Sequence, residues 1–228
     1  MSQIGNAQLK DAISSTSSCG AMPPDRLHVA GSVHQVNTQL IEILCVLSRA
    51  RAAPFPLSDP IRERFTTLTD ADRSRLSCCG TLLIDLGLTD SHRWSSASLA
   101  IENANWAVAR SNHWLPAHEG AIVAHSSMMV VWSILHTCRH LAKILLGISR
   151  ATADVVVSMG LNELSHVAYR HPEWVGVRWA HVPGVWSGLL DAATDLDKGR
   201  GKFVALRGLQ MSLLPERKVI TCQSAGMR

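Results

Sequence analysis

The sequence predicts a mainly α-helical fold: one compact domain of short helices, connectors that carry proline and tryptophan, and a flexible N-terminal arm. Three observations lead there. Apolar residues recur at spacings of three and four over most of the chain, which places them on one face of a helix. No confident stretch alternates apolar and polar residues with the period of two that a half-buried strand shows. Proline and glycine recur at short intervals and end the periodic runs. With 228 residues, 46% hydrophobic and 18% charged, the chain can bury one substantial core.

Residues 1–26 are rich in serine and small polar side chains and end at Pro23-Pro24. They read as a mobile arm ahead of a helical domain over 27–215, with a sub-boundary near 53–60 and a polar tail over 216–228. From Leu27 to Ala52 the positions Val29, Val33, Val36, Leu40, Ile43, Leu44 and Leu47 form one helical stripe. The run from Pro54 to Pro60, with three prolines, stops that helix and gives an extended connector. Thr69, followed by Asp70 and Asp72, has the chemistry of an N-cap and an acidic first turn. TLLIDLGL, residues 81–88, is short, apolar and flanked by glycine; its periodicity fits a strand or a buried helical segment equally.

A helix is expected over Ser95–His113, carrying Leu99 and Trp106 and ending near Pro116. The longest periodic stretch, Ala121–Leu146, holds Ile122, Met129, Trp132, Leu135, Leu141 and Leu145. Its apolar residues lie on several sides, as in a central helix. Ser149 is placed to cap a helix over Arg150–Met159, and Asn162 to cap a short one ending before Pro172. Pro183 suits the first turn of a helix through Ala193. DLDKGRGK, 195–202, reads as a charged loop and FVALRGLQMSLL, 203–214, as a last apolar helix. Two segments of equal length, LTDADRSRLSCCGTLLIDLGLTDSHRW and GLNELSHVAYRHPEWVGVRWAHVPGVW, each run from a capped helix through an apolar stretch to a tryptophan. The match is loose, and chance accounts for it.

Composition and motifs exclude several activities. The net charge of +4 is dispersed, with no run of five basic residues, so a nucleic-acid partner is not expected. No apolar run of membrane-spanning length and no signal-peptide core stand out, which places the chain in the cytosol. The six cysteines, at 19, 45, 78, 79, 138 and 222, lack CxxC spacing and read as reduced, mostly buried thiols, Cys78-Cys79 included. HTCRH puts His136 and His140 four apart with Cys138 between them; without a second ligand cluster these are hydrogen-bonded histidines, and no metal or other cofactor is expected. No GxSxG elbow, phosphate loop or dinucleotide fingerprint occurs, and GRGK at 199–202 is a turn, so an enzyme is disfavoured. GISRATADVVVSMGLNELSHVAYR, 147–170, has the form of a helix-turn-helix, but its second helix offers only Asn162, Glu163, His166 and Arg170 to a DNA groove.

From Ile122 to Pro215 the order of features is similar to that of the type III secretion sorting-platform adaptors, the SctK family. The likeness lies in a long Trp-bearing helix leading to LAKILLGIS, a short-helix pair ending HVAYRHPEW, a connector with RW and VPGVW, and a final GLQMSLLPE. It is one of pattern, without a diagnostic motif. It implies a non-enzymatic, mainly helical cytosolic adaptor at the cytoplasmic face of the inner membrane. Its implied partners are the ring protein SctD and the pod protein SctQ, and through the pods the SctL stator and the SctN ATPase. A helix-turn-helix regulator is the alternative.

His171–Trp186 holds three of the seven tryptophans. Trp174 is expected to seal the core, because indole is usually buried where a chain leaves its helices. Trp179 is the candidate partner anchor, with Arg178, Arg170 and Trp186 as associated binding residues, since tryptophan and arginine are enriched at interface hot spots.

Overall fold

A computed structural model gives the fold and describes residues 24–50, 53–102 and 114–195. Most of the predicted arm, Trp106, most of the 195–202 loop, the 203–214 segment and the polar tail lie outside the described residues. The described chain is mainly helical, with one two-stranded sheet.

The first helix, α1 (Pro24–Arg49), begins within the stretch assigned to the arm and ends close to the predicted point. Val29, Val33, Val36, Leu40 and Leu44 are buried as the stripe requires, and Ile41 joins them. The proline-rich connector is shorter than expected. Pro60 does not extend it but lies in the first turn of α2 (Asp59–Thr66), where its missing N–H costs no hydrogen bond. Thr69 caps α3 (Asp70–Ser77): its hydroxyl accepts the Asp72 N–H, and the Asp72 carboxylate accepts the Thr69 N–H at 2.9 Å. That reciprocal pair satisfies two of the helix's orphan donors. Burial opposes ionisation of Asp72, but hydrogen bonds from Thr69 and Arg75 outweigh it and hold the carboxyl below its ordinary range.

The 81–88 stretch is extended, and Ile84–Asp85 (β1) pairs antiparallel with Gly176–Val177 (β2). Leu82, Leu83, Ile84, Leu86 and Leu88 are all buried, so neighbouring positions as well as alternate ones face apolar surroundings. This is why the segment shows no strand alternation. Helix α4 (Ser91–Glu102) starts four residues before the predicted Ser95, with the Asp90 carboxylate accepting the Arg93 N–H at 3.1 Å. Its anchor is Trp94, fully buried, whereas Leu99 is 61% exposed.

The expected central helix is two helices. α5 (Ala117–Thr137) ends at Cys138, whose extended backbone (φ −153°, ψ 86°) separates it from α6 (Arg139–Leu146). Each piece buries its own apolar face, so the apolar pattern runs on across the break. α5 is long and apolar enough to cross a membrane by length and composition, and half of it lies in the core of this fold. Gly120 lets α5 approach the short turn of 3-10 helix at Pro172–Trp174: a Cβ there would stand 3.1 Å from the Pro172 side chain. α7 (Arg150–Ser158) is capped by Ser149 as predicted. α8 (Leu161–Arg170) is capped at Gly160 rather than Asn162, with the Glu163 carboxylate accepting the Gly160 N–H at 2.7 Å. α9 (Pro183–Thr194) starts at the predicted proline.

The order of these elements repeats. Asp59 of α2 and Arg150 of α7 are 91 positions apart, as are Asp70 of α3 and Leu161 of α8; Ser91 of α4 and Pro183 of α9 are 92 apart. α1 corresponds to α5 and β1 to β2. Buried residues follow the same shift: Leu57 and Ile148, Leu68 and Met159, Leu76 and Val167, Trp94 and Trp186. The packing is reciprocal too. α1 lies on α5, the two strands pair antiparallel, α4 packs on α7 and α8 of the second repeat, and α9 packs on α2 and α3 of the first. The described chain thus contains two similar runs, α1-α2-α3-β1-α4 and α5-α7-α8-β2-α9, the second with α6 and a turn of 3-10 helix added, and the last helix of each run packs on the other. The loose echo between 68–94 and 160–186 falls on corresponding elements, from α3 into α4 and from α8 into α9.

Candidate functional site

Two short helices joined by a linker of two or three residues occur twice. α7 and α8 are joined by Met159 and Gly160, and α2 and α3 by Thr67, Leu68 and Thr69. In each pair the linking apolar residue, Met159 or Leu68, is buried and pins the turn to the core. Leu161, Asn162, Glu163, His166 and Tyr169 are exposed on α8, with Arg170 half-buried at its end; α3 exposes Asp70, Ala71, Ser74 and Arg75. Two arginines of α3 are engaged locally, Arg73 with Asp70 at 3.0 Å and Arg75 with Asp72. Exposed cations stand ahead of the first helix of each pair: Arg49 before α2, and Arg139, His140, Lys143 and Arg150 leading into α7. Arg139 also pairs with Asp154.

The four residues proposed from the 171–186 connector divide into different roles. Trp186 is fully buried and donates its indole N–H to the Arg178 carbonyl at 2.9 Å. It packs on Phe65 with ring centroids 5.9 Å apart. Arg178 is a stitch between the repeats. Its guanidinium donates to the Thr81 hydroxyl at 3.1 Å and crosses Gly147, where a Cβ would lie 1.9 Å from a guanidinium nitrogen. Gly147 also has φ +65°, so no other residue fits there without strain. Trp179 is half-buried, lies under the Arg178 guanidinium at 4.8 Å, and has φ +56°. A left-handed tryptophan is uncommon, and local strain of this kind clusters at binding sites. Arg170 is half-buried in the last turn of α8. Trp174 is in the core, edge-on to Trp94 at 5.2 Å, stacked with His171 at 4.6 Å, and covered by the Arg93 guanidinium at 4.2 Å.

The histidine pair does not share a helix face, because the break at Cys138 lies between His136 and His140. His136 instead stacks on Trp132 at 3.9 Å and bonds its carbonyl at 2.9 Å. Among the described residues no group of three His, Cys, Asp or Glu side chains is placed to hold a metal.

Cys78 and Cys79 were expected to be buried together. Cys79 is, and burial pushes its thiol up to about 11. Cys78 is exposed, with Sγ 3.5 Å from His34 Nδ1. Because the thiolate is the reacting form, a maleimide at neutral pH is expected to label Cys78 quickly and to leave Cys79 unmodified in the folded protein. Peptide mapping after timed labelling checks this; equal modification of both would contradict the burial of Cys79.

One buried polar centre had no signal in the sequence. Asn37 is fully buried in α1, donates to the Thr81 carbonyl at 2.8 Å and the Ser77 carbonyl at 3.2 Å, and accepts the Leu83 N–H at 2.9 Å. It fixes the chain between α3 and β1. Compared with protein-family models, with curated proteins and with solved structures, the chain matches none.

Proposed function

We propose that the protein is a transcriptional regulator of the helix-turn-helix type that carries two reading units in one chain. The observation behind this reading is the repeated element order, in which the α2–α3 pair has a counterpart in the α7–α8 pair. Dimeric helix-turn-helix regulators present two such units to DNA, and operator symmetry follows protein symmetry. The second helix of each pair would meet base edges through Asn162, His166 and Arg170 on α8 and Ser74 on α3, where Arg75 is held by Asp72 and the Ala193 carbonyl. Arg49, Arg139, Lys143 and Arg150 would meet phosphates, which set affinity and salt dependence. This reading departs from the expectation of no nucleic-acid partner, which rested on a modest, dispersed net charge without basic runs and on the few polar residues that 161–170 offers to a groove. The reading is non-enzymatic and cytosolic.

A second reading is the type III secretion adaptor between SctD and SctQ, indirectly joined to SctL and SctN at the inner membrane. Its support is the sequence resemblance and the strained, half-buried Trp179 under Arg178. Selection of genomic fragments by the purified chain, followed by anisotropy titrations at two salt concentrations, separates the two. The regulator predicts an enriched sequence bound more weakly at higher salt, and a loss of ~1–3 kcal/mol for Asn162→Ala or Arg170→Ala if either contacts a base. No enriched fragment, together with capture of SctQ or SctD in a form abolished by Trp179→Ala, would replace the regulator by the adaptor.

A further inference from the structure

The two repeats differ at one place where the difference leaves room for a ligand. In the second repeat, His125 of α5 bonds Ser165 of α8 at 3.2 Å, and the Tyr169 ring stacks on His125 with centroids 5.6 Å apart and planes 28° apart. In the first repeat, the position 91 residues before His125 is His34, whose Nδ1 bonds Ser77 of α3 at 2.9 Å, whereas His125 uses Nε2 and Ser165 corresponds to Ser74. The position 91 residues before Tyr169 is Cys78. The histidine is kept and the ring over it is not. A cavity of about 170 Å³ lies there, lined by Ala30, Val33, His34, Cys78, Gly80 and Leu145 among others.

We propose that this cavity binds a small planar aromatic molecule of the phenol class, stacked on His34 as Tyr169 stacks on His125. Size and chemistry agree. An enclosed apolar cavity of about 150 Å³ holds one benzene ring; the cavity here is of similar volume but opens to solvent beside the exposed Ala30 and Cys78, and its walls are mostly apolar, with His34 among them. His34 supplies the polar edge that a phenol oxygen needs, the Ser77 hydroxyl being held by the Ser74 carbonyl at 2.8 Å and by His34 Nδ1 at 2.9 Å, in keeping with small-molecule sites that pair an apolar lining with few polar groups. The ligand would sit against the C-terminal end of α3. This site stands independently of the regulator and adaptor readings.

p-Cresol, the side-chain analogue of tyrosine, is the probe, with cyclohexanol as the non-aromatic control. Calorimetric titration of the full chain is expected to show saturable one-to-one binding of p-cresol and none of cyclohexanol. Bound p-cresol should slow maleimide labelling of Cys78 severalfold. Cys78→Phe, which supplies a ring from the chain itself, is expected to abolish binding while keeping the cooperative melt. If that variant fails to fold, Ala30→Leu, which reduces the cavity from its opposite side, serves in its place. His34→Ala should weaken p-cresol binding and erase the preference over cyclohexanol. Absence of saturable binding, equal binding of cyclohexanol, or unchanged binding in a folded cavity-filling variant would overturn the proposal.

Discussion

Replacing Trp186 by alanine is expected to lower stability by ~3–5 kcal/mol, the usual range for emptying a large aromatic site in a core. Trp186 is fully buried, packs on Phe65, and bonds the Arg178 carbonyl through its indole N–H. It also seats α9 on the opposite repeat, so its loss loosens the exchanged helix. The corresponding Trp94 separates packing from hydrogen bonding, because its indole N–H is buried with no partner among the described residues. Trp94→Phe is therefore expected to change stability little, or to raise it, by removing a buried donor without a bond. Trp186→Phe should cost more, since it leaves the Arg178 carbonyl without that donor, an effect of ~1–3 kcal/mol. Urea unfolding of the four variants, Trp to Ala and Trp to Phe at each site, measures both terms. Equal costs for the two Phe variants would contradict the distinction.

Asn37→Leu is expected to destabilise by ~3 kcal/mol or more, although leucine is close in size and the site is fully enclosed. The side chain serves the Ser77 and Thr81 carbonyls and the Leu83 N–H. Each buried backbone group deprived of its partner costs ~1–3 kcal/mol. The position 91 residues later is Met128, also fully buried, and there a change to leucine should cost less than ~1.5 kcal/mol. The chain leaving α8 enters a turn of 3-10 helix and bonds its own backbone, Trp174 N–H to the His171 carbonyl and Val175 N–H to the Pro172 carbonyl. The chain leaving α3 makes such bonds through the Cys78 and Cys79 N–H groups, to the Arg75 and Leu76 carbonyls, and Asn37 serves the Ser77 and Thr81 carbonyls and the Leu83 N–H. Thermal and urea melts of both variants check this; a neutral Asn37→Leu would show that the carbonyls find other donors.

Local chemistry was legible from residue types alone. The Thr69–Asp72 capping box, the Ser149 cap, the Pro183 start and the stripe of α1 rest on interactions within three or four residues, and such interactions are written in the spacing of the chain. Elements whose form depends on distant partners were not. The 81–88 segment is extended because β2 pairs with it and the core encloses most of its side chains. The helix break at Cys138 is hidden because both pieces bury apolar residues.

The candidate site shows the same division. Tryptophan in a proline-bearing connector marked a place where the core is sealed, and Trp174 lies there. Only the tertiary structure decided that Trp186 is equally enclosed, that Arg178 joins the repeats across Gly147, and that Trp179 is left half-buried. The repeated element order was almost invisible in the sequence. Its two runs share burial and capping rather than residue identity, as Leu76 with Val167 and Thr69 with Gly160 show. Many apolar side chains satisfy one packing position, so residue identities drift while the fold repeats. The sequence by itself determined the helical class, the caps and the core stripes, because those follow from backbone propensity and apolar spacing. The exchanged helices and the cavity beside His34 were decided by tertiary packing, because each depends on which distant surfaces meet.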